Sequence, residues 1–131
     1  MLLPTTLLRH TPGRGSPPGQ DAPHYDWLMV NPRHGGDARA GLWTARVATP
    51  WDEWPQRGRV TFTPLPPHRR RYLDWQGTLA GERGWVVRAA RGQVQPHRWT
   101  DQRIWLTLHT EGQTLDLRLE RVGTHWLGVC T

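Results

Sequence analysis

The chain contains no lysine, a single cysteine, and only three residues that are phenylalanine or tyrosine. Cys130 has no partner within the chain, so an intrachain disulfide and a paired-cysteine metal clip are both excluded. No run approaches the ~18–20 consecutive apolar residues of a membrane-spanning helix. The segment Met1–Leu8 is interrupted by Pro4, Thr5 and Thr6 and has no basic start, so it does not read as a secretory leader. The expectation from these absences is a cytoplasmic protein without membrane contact. Glycine-rich phosphate loops, nucleophile elbows and the HExxH zinc motif are missing as well.

What is present is unusual. All 17 basic residues are arginine, against 11 acidic ones, giving a net charge of +6 with neutral histidines. A GC-rich coding bias accounts for the missing lysine but not for the excess positive charge. That excess points to an anionic partner, and the planar arginine fork suits phosphate. Nine tryptophans dominate the aromatic content, and 14 glycines with 12 prolines fit a loop-rich β-fold better than a helical one. At 131 residues the chain has the length of one domain with one core.

Hydrophobic alternation predicts strands at 5–10, 24–30, 42–47, 58–63, 72–79, 84–90, 93–99, 103–109, 113–121 and 125–129. Ile104, Leu106 and Leu108 alternate against Trp105, Thr107 and His109, and Leu115, Leu117 and Leu119 against Asp116, Arg118 and Glu120. Turn chemistry separates the later strands, including Arg91-Gly92. Residues 11–23 form a Pro/Gly-rich loop, and the only helical signal is a short turn near Pro50–Trp54. The predicted architecture is mainly β: a compact single-domain β-barrel of antiparallel strands spanning 1–131, with one or two short helical turns. The interior of such a barrel can hold a few convergent polar side chains. Most tryptophans read as core or sheet-face residues, whereas Trp51 and Trp54 read as exposed and able to stack on unpaired bases.

Two groups of residues carry chemistry. His24 and Asp26 are two apart in an extended run, so they share a face, and His10 ends an earlier apolar segment. Two histidines and a carboxylate suit a divalent first-row metal with open positions for water or phosphate oxygens. The spacing alone equally fits a strand histidine beside a carboxylate paired with an arginine. His68 precedes Arg69-Arg70-Arg71 and Tyr72. Strand alternation there puts His68, Arg70 and Tyr72 on one face and sends Arg69 and Arg71 toward solvent.

Taken in order, Leu7-Leu8-Arg9-His10, His24-Tyr25-Asp26-Trp27-Leu28-Met29, His68-Arg69-Arg70-Arg71-Tyr72-Leu73-Asp74-Trp75-Gln76-Gly77-Thr78-Leu79, Arg88–Gly92, Leu115–Leu119 and Trp126-Leu127 resemble the 3′-phosphoesterase domain of bacterial ATP-dependent DNA ligase D, here as a stand-alone relative. The resemblance implies a manganese-dependent phosphoesterase trimming 3′ ends of DNA or of RNA–DNA primers in end-joining repair. It implies His10, His24 and Asp26 as metal ligands, His68 as the catalytic histidine contacting phosphate, and Tyr72 as its supporting hydroxyl. DNA 3′ ends and end-joining repair proteins are the implied partners, and a monomer is expected. The family keeps an arginine where this chain has Leu28, so Arg70 or Arg9 is the expected substitute phosphate contact. The alternative is a non-catalytic barrel that binds DNA or a repair partner.

Overall fold

The computed structural model describes residues 1–16, 22–34, 37 and 39–131. Strands β1 (Leu3–Thr11), β2 (His24–Met29), β3 (Trp43–Val47), β4 (Arg59–Pro64), β5 (Gly77–Thr78), β6 (Trp85–Trp99), β7 (Arg103–Thr110), β8 (Gln113–Val122) and β9 (His125–Cys130) form one antiparallel sheet. Its order is β1-β2-β3-β4-β9-β8-β7-β6, and pairing of β1 with β6 closes eight strands into a barrel. The predicted β-barrel is therefore correct. A 3-10 turn at Trp51–Glu53 and the short helix α1 (Trp54–Arg57) account for the expected helical signal. Among the described residues no helix is long and apolar enough to cross a membrane. The expected 11–23 loop lies partly outside the described residues, and Thr11 belongs to β1.

Four local expectations fail. The two strands predicted at 84–90 and 93–99 are one 15-residue strand, and Arg91-Gly92 is not a turn. A Cβ on Gly92 would stand 2.5 Å from the His109 carbonyl oxygen, so this glycine serves close strand approach rather than chain reversal. The strand predicted at 72–79 is instead a 3-10 turn at Arg70–Leu73 followed by the two-residue β5. Trp51 and Trp54 are not exposed: both are buried in the main core. The Trp54 indole N–H donates to the Thr49 carbonyl at 3.0 Å. Trp85, expected to pack, is 49% exposed.

The barrel interior is built around Trp27, whose ring meets Trp43, Trp54 and Phe62 at centroid distances of 5.0–5.4 Å. Leu7, Met29, Leu106, Leu108 and Leu117 complete much of this core. Alternation then fixes what faces outward on the same strands. Leu8 and Leu28 join Val30, Leu42 and Val86 in a second apolar cluster on the outer face of the β1–β2 wall. Tyr72, Leu73, Trp75 and Leu79 pack over it, so residues 65–84 form a roof on the outside of the barrel. The roof is tied down where Thr6 Oγ1 donates to the Leu73 carbonyl at 2.9 Å and where Arg91 pairs with Asp74. The barrel interior does not hold the polar cluster: His10, His24 and Asp26 follow Leu8 and Leu28 outward, beneath the roof.

Candidate metal centre

The antiparallel register of β1 and β2 sets His10 directly opposite His24, and Leu8 opposite Asp26. The intervening loop does not separate the histidines, because hairpin pairing returns them to one cross-strand position. His68 arrives from the roof. The Leu42 amide donates to the His68 carbonyl at 2.8 Å, and the His68 amide donates to Thr44 Oγ1 at 3.2 Å.

The ring hydrogen bonds determine what each histidine offers. His10 Nε2 lies 2.9 Å from the Arg83 carbonyl oxygen, and His24 Nδ1 lies 3.0 Å from the Ala22 carbonyl oxygen. A carbonyl only accepts, so each of these nitrogens carries the hydrogen. That assignment leaves His10 Nδ1 and His24 Nε2 as bare lone pairs when the rings are neutral. The two bare nitrogens face each other at 3.1 Å. Asp26 Oδ1 is 3.1 Å from His24 Nε2, and Oδ2 is 3.8 Å from His10 Nδ1. The three ligand atoms lie within 4.8 Å of one another.

While both rings are neutral, electron pairs converge here with no hydrogen between them. Asp26 is buried, and its Oδ1 has no hydrogen bond of acceptable direction among the described residues. Leaving such an oxygen unsatisfied costs about 1–3 kcal/mol, and more for a charged group. A cation between the three atoms removes both the cost and the lone-pair repulsion. The Ala22 and Arg83 carbonyls are the outer partners that commonly hold ligating histidines in one tautomer. The cluster His10–His24–Asp26 could hold a metal ion, and the donor set of two imidazoles and one carboxylate fits a divalent first-row ion.

His68 approaches the same carboxylate oxygen as His10, Asp26 Oδ2. Its Nδ1 lies 3.0 Å from the Pro66 carbonyl oxygen and its Nε2 3.6 Å from Asp26 Oδ2. Burial opposes ionisation of Asp26, but His24 and His68 outweigh it and pull the carboxyl down to about 2. Burial likewise disfavours a charged His68, yet Asp26 and the Pro66 carbonyl together raise its pKa above the ordinary 6.5. The stability from Asp26 is present above its unfolded value of 3.8 and is lost as pH falls toward 2. That from His68 is full below 6.5 and is lost as pH rises through its raised folded value. Metal-free protein should therefore melt highest between about pH 4 and 6.5. Thermal melts in chelator should lose the alkaline decline in His68→Gln. An identical alkaline decline in that variant contradicts the assignment.

The cluster opens into a cleft of about 490 Å³ whose polar rim includes Ser16, Arg69, Arg71 and Arg83. The arginines expected to contact phosphate are placed elsewhere. Arg9 points to the opposite face of β1, over the Tyr25 ring at 5.8 Å. Arg70 does not line the cleft, and its Nε is buried without a hydrogen-bond partner among the described residues. Arg69 and Arg71, expected to point away, are exposed and line it, because a 3-10 turn over Arg70–Leu73 does not alternate faces as a strand does. The Tyr72 ring stands edge-on to His68 at 5.8 Å, but its hydroxyl accepts from Arg71 Nη2 at 3.4 Å. Leu28, at the position of the expected arginine, is fully buried in the outer apolar cluster.

Sequence reasoning overlooked Arg83 and the three carbonyls that fix the imidazoles. Carbonyls leave no trace in residue type, but Arg83 sits in a turn marked by Gly81 and Gly84. Gly84 has φ of +95°, and a Cβ there would stand 1.8 Å from the Thr11 carbonyl oxygen. Gly84→Ala must push this turn away from the end of β1, taking the Arg83 carbonyl from His10. Metal affinity is expected to fall about 10–100-fold, as for loss of other outer partners. A calorimetric titration showing unchanged affinity would refute that coupling.

No protein-family model matches the sequence, and a search of curated proteins finds no match.

Proposed function

We propose that the protein is a metal-dependent phosphoesterase acting on 3′ ends of DNA or of RNA–DNA primers, with manganese as the ion. The observation that carries this reading is the meeting of three lone-pair donors under a rim of arginines, with His68 beside the same carboxylate. His10, His24 and Asp26 would hold the ion. When bound, manganese supplies Lewis acidity toward a phosphate oxygen and acidifies a water. Arg69, Arg71 and Arg83 give the cleft a positive rim that attracts and orients a phosphate. His68, whose proton Asp26 and the Pro66 carbonyl help to hold, would face charge accumulating on phosphate oxygens and offset it. Tyr72 positions the Arg71 guanidinium rather than acting on phosphate itself.

The net charge of +6 fits a nucleic-acid partner, and the ordered motif resemblance favours a role in DNA end repair. A non-catalytic binding module is the rival reading, favoured by one observation: Leu28 is buried and apolar where an arginine contact was expected. The deciding assay is release of a 3′ phosphate, and of a 3′ ribonucleotide, from labelled DNA with and without manganese. Manganese-dependent release supports the phosphoesterase. Salt-sensitive DNA binding without any metal effect or product supports the module and overturns the proposal.

A further inference from the structure

A second cleft, of about 590 Å³, lies on the other side of the Pro64–Pro67 segment from the metal cluster. Leu65 and Pro67 line both clefts, so one stretch of chain is their shared wall. The second cleft is lined by Trp43, Trp99 and Trp126, with Asn31, Gln102 and Arg121 among its polar groups. Trp43 meets Trp99 and Trp126 at centroid distances of 6.3 and 6.2 Å, and the Arg121 guanidinium lies 5.6 Å from the Trp126 ring centroid.

The polar ends of these three tryptophans are free, as are those of Trp51, Trp75 and Trp85 among the described residues. The indole N–H groups of Trp27, Trp54 and Trp105 each donate to an oxygen of the protein. Those of Trp43, Trp99 and Trp126 find no partner among the described residues. Trp126 is buried in the core, but the partly exposed Trp43 and Trp99, beside two amides and a guanidinium, suit a planar ring with acceptors on its edge. Leu42 and Thr44, which hold the backbone of His68, also line this cleft. A ligand seated there therefore rests against the residues that position His68.

We infer that the second cleft takes an unpaired nucleobase, the one adjoining a strand end whose phosphate lies in the first cleft. The placement of the phosphate rests on the phosphoesterase reading; the base site does not. The inference defines a substrate class: single-stranded or frayed 3′ termini, since a base held in a duplex cannot enter.

The test uses the full chain in chelator with short oligonucleotides ending in a 3′ hydroxyl, so that neither metal nor turnover contributes. Tryptophan quenching compares a normal oligonucleotide with one of equal charge whose terminal positions are abasic. Wild type should bind the normal strand about tenfold tighter, as expected for stacking of one base. Trp99→Ala should bring the ratio near one, Trp99→Tyr should keep most of it, and Gln102→Ala, with little fold disruption, should lower it. Equal affinity of wild type for both strands overturns the inference, as does an unchanged ratio in Trp99→Ala. Base discrimination without any 3′-phosphate release removes the phosphoesterase and leaves this site standing. Release without base discrimination does the reverse.

Discussion

Replacing His24 with alanine is expected to abolish stoichiometric binding of a divalent metal. His24 Nε2 lies 3.1 Å from both His10 Nδ1 and Asp26 Oδ1, so its removal takes away the atom that joins the other two. In wild type, saturation at a hundred times the dissociation constant adds about 2.7 kcal/mol to stability. For a domain of this size that raises the melting temperature by roughly ten degrees. His24→Ala should show no such rise. Asp26→Asn, which keeps the shape but removes the charge, should lose it too, guarding against the possibility that the alanine variant simply misfolds. A variant that still melts higher with metal means that the ion sits elsewhere or is held nonspecifically.

His68→Gln is expected to separate binding from chemistry. Nε2 of His68 is 3.6 Å from Asp26 Oδ2, and the ring is part of the wall of the first cleft rather than of the converging triad. Metal affinity should change little. The rate of 3′-phosphate release should fall about 10²–10⁴-fold, the usual worth of a positioned acid–base group. Wild-type activity should decline as pH rises through the raised His68 pKa, and the variant should lack that limb. Release at the wild-type rate in either His24→Ala or His68→Gln would defeat the phosphoesterase reading.

Period-two alternation made the barrel legible before any coordinates. Ile104–Leu108 and Leu115–Leu119 bury one face as the pattern requires. His24 and Asp26 were legible for the same reason, since residues two apart on a strand share a side. Which side of the barrel wall they occupied was not legible. Alternation assigns faces to residues, but inward and outward are settled by Trp27 and Met29 filling the barrel while Leu8 and Leu28 find a roof. That roof was itself misread as a strand over 72–79, and so the arginines were assigned by the wrong periodicity. Arg69 and Arg71 reach the cleft from a 3-10 turn, whereas Arg70 and Arg9 do not. Trp51 and Trp54 looked exposed because they follow a proline in a polar segment. Their burial comes from packing against the Trp27–Phe62 core, contacts far apart in sequence. The carbonyls of Ala22, Pro66 and Arg83 fix the imidazoles without any signal in residue type.

The central claim is that His10, His24 and Asp26 jointly hold one divalent ion. Pulsed electron paramagnetic resonance on protein titrated with manganese tests it most directly, because the signal reports which nuclei touch the ion. The account predicts one bound manganese per chain with nitrogen couplings from two imidazoles, both lost in Asp26→Asn along with the bound ion. Manganese that remains hydrated, with no nitrogen coupling at one equivalent, would contradict it.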